Sequence, residues 1–80
     1  MQRLFILLTA LVLSLSAMAQ KESYDVRRGN KEYRKENFPS AETDYRKGLD
    51  KNEDSYVARY NLGNSLFKQE KYQDALKEYI

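Results

Sequence analysis

One spacing organises this 80-residue chain: shifted by 34 residues, it aligns with itself without a gap. The shift pairs Gly29 with Gly63, Asn30 with Asn64, Phe38 with Tyr72, Ala41 with Ala75 and Tyr45 with Tyr79, and Lys35-Glu36 falls loosely on Gln69-Glu70. Matches of size and chemistry at one offset mean that the chain builds the same supersecondary unit twice. Such units bury their apolar faces against each other, so the repeat limits the fold more tightly than any local propensity does.

Within each period the hydrophobic pattern predicts two helices. Ala58, Leu62 and Leu66 recur at i, i+4 and i+8, with Tyr60, Gly63 and Phe67 beside them, which predicts one amphipathic helix from about Asp54 to Gln69. Tyr72, Ala75, Leu76, Tyr79 and Ile80 give the face of a second helix. In the first period Phe38, Ala41, Tyr45, Gly48 and Leu49 give the matching one, with Pro39 in its first turn, where a missing N–H costs nothing. Gly29, Gly48 and Gly63 all lie inside helical pattern, where each costs about 1 kcal/mol relative to Ala. A glycine kept there marks a close approach of two helices.

Residues 1–19 are of another kind. They hold fourteen hydrophobic residues and a single charge, Arg3, whereas residues 20–80 hold 25 of the 26 charged side chains. Met1-Gln2-Arg3 opens the chain, Leu4 to Leu15 is an uncharged apolar run, and Ala17 and Ala19 stand where a signal peptidase reads small residues. The layout predicts a secretory signal peptide cleaved before Gln20. The stretch from Leu4 to Ala19 is shorter than the roughly 20 apolar residues a bilayer span needs. Membrane attachment is therefore expected only through an uncleaved leader. Either way the remainder is expected to be exported, in the periplasm or at the outer face of the inner membrane.

Residues 22–80 resemble the tetratricopeptide repeat (TPR) family. The closest match is Tyr60-Asn61-Leu62-Gly63-Asn64-Ser65-Leu66-Phe67-Lys68-Gln69, followed by Tyr72-Gln73-Asp74-Ala75-Leu76 and Tyr79; the first repeat matches through Gly29, Tyr33, Phe38, Ala41, Tyr45 and Leu49. The resemblance implies an all-α fold of tandem helix–turn–helix hairpins, an α-solenoid of about one and three-quarter repeats preceded by a signal-peptide helix. Residues 1–19 form the leader, 20–55 a degenerate N-terminal repeat, and 56–80 a second repeat truncated in its second helix. Gly29, Ala41, Tyr45, Leu62, Gly63, Ala75 and Tyr79 are its structural repeat positions. Departures from the family pattern are Arg28 and Glu32 in place of Leu62 and Leu66, Glu36 and Glu70 where Gly is frequent, and Glu53 where Pro is frequent. Gly29-Asn30-Lys31-Glu32-Tyr33 and Ala58-Arg59-Tyr60-Asn61-Leu62-Gly63-Asn64 also resemble the exported TPR components of aerotolerance (Bat) operons.

The resemblance further implies a protein-binding scaffold whose first helices line a concave groove. Its groove positions would be Val26, Arg27, Asn30, Tyr33 and Arg34, then Val57, Tyr60, Asn61, Asn64, Phe67 and Lys68. Asn side chains match a peptide's backbone donors and acceptors, Tyr and Phe give rigid contact area, and Arg and Lys favour an acidic or carboxylate-ended partner. Asn30 and Asn61 stand where some TPR proteins grip a terminal carboxylate, whereas Val26 stands where those place Lys.

Composition narrows the chemistry. With no Cys and no His, the chain has no disulfides, no thiol nucleophile, no His/Cys metal site and no His-based triad. Fourteen basic residues interleave with twelve acidic ones, so no one-signed field points to nucleic acid. Glu42/Asp44, Glu53/Asp54 and Asp74/Glu78 read as solvated helix faces, with Asp74–Glu78 repelling at i,i+4. No catalytic residue, metal or cofactor is expected. Ending at Ile80 leaves Leu76, Tyr79 and Ile80 without a partner, so the chain reads as part of a longer repeat protein. The alternative is a self-associating assembly module stacking through that edge. A third reading makes it an accessory segment of a larger catalytic chain.

Overall fold

The structure, a computed structural model, describes residues 24–80, so the leader with Ala17 and Ala19 lies outside the described residues. All regular structure among the described residues is α-helical: α1 covers 24–34, α2 Phe38–Lys51, α3 Tyr56–Lys68 and α4 Tyr72–Tyr79. Helix α3 packs against both α2 and α4. The all-α class expected from the pattern is what the chain adopts.

Both hairpin turns are built alike. The Glu36 N–H donates to the Tyr33 carbonyl at 2.9 Å and the Asn37 N–H to the Glu32 carbonyl at 2.9 Å. The same pair recurs from Glu70 to Phe67 and from Lys71 to Leu66, each at 2.9 Å. This is the Schellman closure of a helix, which needs a left-handed residue at its pivot. Glu36 and Glu70 supply it with φ of 62° and 63°, in the slots where glycine is the easier choice. Each glutamate also sets a negative charge beside the negative end of a helix dipole. Glu36→Gly and Glu70→Gly should therefore each stabilise the fold by about 1 kcal/mol, read as a rise in the urea midpoint without a change in slope.

The link between hairpins is stopped and restarted by side chains. Asn52 leaves the helical region, its Oδ1 accepts from the Asp54 N–H at 3.1 Å, and its carbonyl accepts from the Ser55 N–H at 3.1 Å. The Ser55 hydroxyl then caps α3 by accepting from the Ala58 N–H at 3.1 Å. The helix therefore begins at Tyr56, two residues later than the periodicity predicts, because the Asx turn at Asn52 holds Asp54 outside it.

The core is a thin seam of Val26, Ala41, Tyr45, Ala58, Leu62, Leu66 and Ala75, with Tyr33 and Leu49 packed on it. Alanines at 41, 58 and 75 let the backbones approach, and two glycines let them approach further. A β-carbon at Gly29 would lie 2.6 Å from Tyr45 Cε1, and one at Gly63 would lie 2.5 Å from Tyr79 Cε1. Gly48 differs: a β-carbon there would meet Val26 Cγ2 at 3.5 Å and Ala58 Cβ at 3.7 Å, ordinary contact distances. Each tyrosine that lies over a glycine also hydrogen-bonds the residue after it. The Tyr45 hydroxyl donates to Asn30 Oδ1 and the Tyr79 hydroxyl to Asn64 Oδ1, both at 2.6 Å. Edge-on aromatic pairs repeat as well, Tyr33 with Phe38 and Phe67 with Tyr72, both at 5.1 Å between centroids. The 34-residue period is thus a period of contacts.

Glu53, Asp54 and Asp74 are exposed as the pattern expects, but other acidic residues correct it. Asp25 and Asp44 are buried, and ion pairs hold them: Lys51 Nζ lies 2.7 Å from Asp25, and Arg28 Nε lies 3.8 Å from Asp44. Glu42 accepts from Gln69 Nε2 at 3.0 Å, Arg46 Nε at 3.1 Å and Lys71 Nζ at 3.4 Å, which ties α2 to the turn after α3. Glu78 takes Arg59 Nη1 at 3.3 Å rather than simply repelling Asp74. These carboxylates join helices. Burial alone would raise the Glu42 carboxyl, but its bonds from Gln69 and Arg46 and the charges of Lys71 and Arg46 outweigh that and hold it below the ordinary value.

Candidate functional site

Helices α1 and α3 lie side by side, and between them opens a shallow pocket of about 170 Å³ lined by Asn30, Tyr33, Arg34, Tyr45, Asn61 and Asn64. Helical spacing accounts for the two walls. Asn30, Tyr33 and Arg34 fall at i, i+3 and i+4 on α1, and Asn61 and Asn64 fall at i and i+3 on α3. The floor is Tyr45 of α2, only 1% exposed, whose hydroxyl comes up between the two helices.

The hydrogen bonds within the pocket set its polarity. Asn30 Oδ1 accepts from the Tyr45 hydroxyl at 2.6 Å and from Asn61 Nδ2 at 3.4 Å, and Asn64 Oδ1 accepts from Tyr79. The acceptor ends of Asn30 and Asn64 are thereby engaged, and their Nδ2 groups have no partner among the described residues. Two amide donors, the exposed Arg34 guanidinium and the Asn61 Oδ1 acceptor remain for a ligand. The wall suits a ligand rich in acceptors, such as carboxylate or peptide carbonyl oxygens.

Burial first, and the nearby Tyr33 phenol second, push the Tyr45 phenol up to about 12. The fold favours the neutral phenol. Its contribution to stability is therefore whole below about pH 10, the ordinary phenol value, and is lost as pH rises through about 12. Phenolate absorbance followed together with helical circular dichroism should show α-helix lost within that window, and Tyr45→Phe should remove this contribution to the alkaline transition.

The structure brings five of the eight candidate groove residues together: Asn30, Tyr33, Arg34, Asn61 and Asn64. The other three lie elsewhere. Tyr60 sits 5.8 Å from Tyr79 on the outer edge of the second hairpin, beside Arg59 and Ile80. Phe67 stacks edge-on against Tyr72, and Lys68 is exposed in the last turn of α3. Of the further positions, Val26 is buried against Gly48 and belongs to the core, Arg27 lines the opposite side of α1 with Tyr24 and Lys31, and Val57 is exposed. Tyr45 is the pocket residue that the sequence pattern assigns to packing alone. Its second role is visible only in the repeated spacing of 15 residues from Asn to Tyr, 30 to 45 and 64 to 79.

Among the described residues, no three acidic side chains gather closely enough to hold a metal ion. No family model, curated protein or solved structure matches the chain.

Proposed function

We propose that this chain is an exported TPR-type scaffold that holds an acidic segment of a partner protein in the pocket between α1 and α3. The observation that carries the reading is the donor-rich wall: Asn30 and Asn64 have their oxygens engaged by tyrosine hydroxyls, and Arg34 stands beside them. Support for the repeat family comes from the 34-residue recurrence of turn, aromatic pair and Gly–Tyr contact. Export is proposed from the leader, residues 1–19. A shallow, open pocket suits an extended segment of peptide better than a small molecule, which needs a concave site that buries most of its surface.

The test is a titration of the full chain with an acidic peptide ending in a free carboxylate, against the same peptide amidated. The free acid should bind more tightly, and Arg34→Ala should cost it roughly tenfold through the lost charge-assisted bond. Asn61→Ala should weaken both peptides alike. Equal affinity of acid and amide, together with indifference to Arg34→Ala, would remove the reading.

A further inference from the structure

Folding sorts the charges of this chain by sign. Residues 24–35 carry five cations and two carboxylates, a net +3, whereas residues 36–80 carry seven cations and nine carboxylates, a net −2. On α1 the carboxylates are the ones withdrawn from water. Asp25 is 4% exposed against Lys51, and Glu32 is half-buried and accepts from Asn37 Nδ2 at 3.0 Å. The cations stay outside. Tyr24, Arg27, Arg28, Lys31 and Lys35 recur at i, i+3, i+4, i+7 and i+11, a single stripe on the side of α1 away from Gly29, and all five are exposed. The Arg28 pair with Asp44 is long, at 3.8 Å, and leaves that side chain 59% exposed. The other helices mix their signs: Arg46 meets Glu42, Lys51 meets Asp25, Arg59 meets Glu78, and Asp74 stands three residues from Lys77.

A solvated terminal helix needs polarity, not one sign. Arg27, Lys31 and Lys35 succeed one another at i,i+4, where like charges repel and weaken a helix. The row is relieved only over a counter-charge. Its cations run along roughly 12 Å of straight helix, without the row of rings that stacks bases or the apolar pocket that anchors a peptide. That shape fits a flat anionic surface, where each Lys or Arg adds to the attraction. The chain also brings such a surface near. Residues 4–19 are uncharged and mostly apolar, and Tyr24 follows Ala19 by five residues, a reach of at most about 18 Å. A bilayer that takes up the leader therefore has the stripe beside its headgroups. Tyr24, at the end nearest the leader, is a residue type that settles at headgroup level.

We propose that the Tyr24–Lys35 stripe of α1 lies on the anionic surface of a phospholipid bilayer, a contact made in addition to the leader. Asn30 and Tyr33 lie on another side of α1, so the docked chain keeps its α1–α3 pocket open. The proposal does not depend on the pocket's ligand; it rests on the leader only for the choice of a bilayer over other polyanions.

The test is partition of the full chain onto vesicles of mixed phosphatidylglycerol and phosphatidylcholine, compared with pure phosphatidylcholine. The leader contributes its apolar insertion to both, and Arg3 and Lys21 are common to every variant. The triple variant Arg27→Gln, Lys31→Gln, Lys35→Gln should lose about fivefold per cation on the anionic vesicles, roughly a hundredfold together, and nothing on the neutral ones. Arg28 is left in place because it holds Asp44. Removing the same charge elsewhere, with Lys47→Gln, Lys68→Gln and Lys77→Gln, should cost less than about twofold, and salt at about 0.5 M should erase the stripe's share. Helical circular dichroism should be the same for the parent and both variants. Three results would overturn the proposal: no preference for anionic vesicles, equal losses in the two triple variants, or stripe-dependent binding of a nucleic-acid duplex tighter than that of the anionic vesicles. The last would assign the stripe to nucleic acid.

Discussion

Replacing Ala75 by aspartate should abolish the second hairpin, whereas Lys77→Asp, two residues further on, should leave it intact. Ala75 is 1% exposed in the same cluster as Leu62 and Leu66, with no cation in that cluster to meet a new carboxylate. An unpaired charge buried there costs about 3 kcal/mol or more. A core this thin holds only about 3–5 kcal/mol in total, so the variant should lose most of its helical circular dichroism at room temperature. Lys77 is exposed, and its replacement should stay within about 0.5 kcal/mol of the parent. Equal losses in the two variants would mean that α4 presents the other face to α3.

Gly29→Ala should destabilise and Gly48→Ala should stabilise, although both glycines lie mid-helix and both replacements improve helix propensity. At Gly29 the new methyl would stand 2.6 Å from the ring of Tyr45, which is buried and held by Asn30. Moving that ring costs packing and the hydrogen bond together, about 2–3 kcal/mol of overpacking against about 1 kcal/mol of propensity gained. At Gly48 the methyl would rest at 3.5 Å from Val26, so the propensity gain of about 1 kcal/mol stands alone. Urea unfolding of the two variants decides it: midpoints moving the same way would refute the steric account. Gly63→Ala should fall between them, because Tyr79 is open to solvent and can swing aside.

The repeat and the glycines were legible because both act through spacing. A 34-residue offset survives any uncertainty over helix ends, and a glycine inside a helical stripe signals contact wherever the stripe points. The charged residues were legible only in part, at exposed Glu53, Asp54 and Asp74. Asp25, Asp44 and Glu42 look like members of a solvated face, and only the crossing of helices shows that Lys51, Arg28, Gln69 and Lys71 arrive from elsewhere to meet them. The candidate groove was half legible for a related reason. Helical spacing collects Asn30, Tyr33 and Arg34 on one side of α1, but which side a neighbour covers depends on packing. So Val26 went to the core, and Tyr60, its equivalent, to an open edge.

The chain has no tryptophan. The duplicated glycine–tyrosine contact therefore gives it a matched pair of optical labels. Tyr45 and Tyr79 share one local geometry, the same hydroxyl acceptor and the same glycine beneath the ring, and differ in what lies outside. Both phenols are raised chiefly by burial, Tyr45 to about 12 and Tyr79 without the same depth of cover. The first forms the floor of the α1–α3 pocket, beside Asn30 and Asn64. The second stands half-exposed on the second hairpin, outside that pocket. A ligand that enters the pocket should perturb the first ring and leave the second as it is.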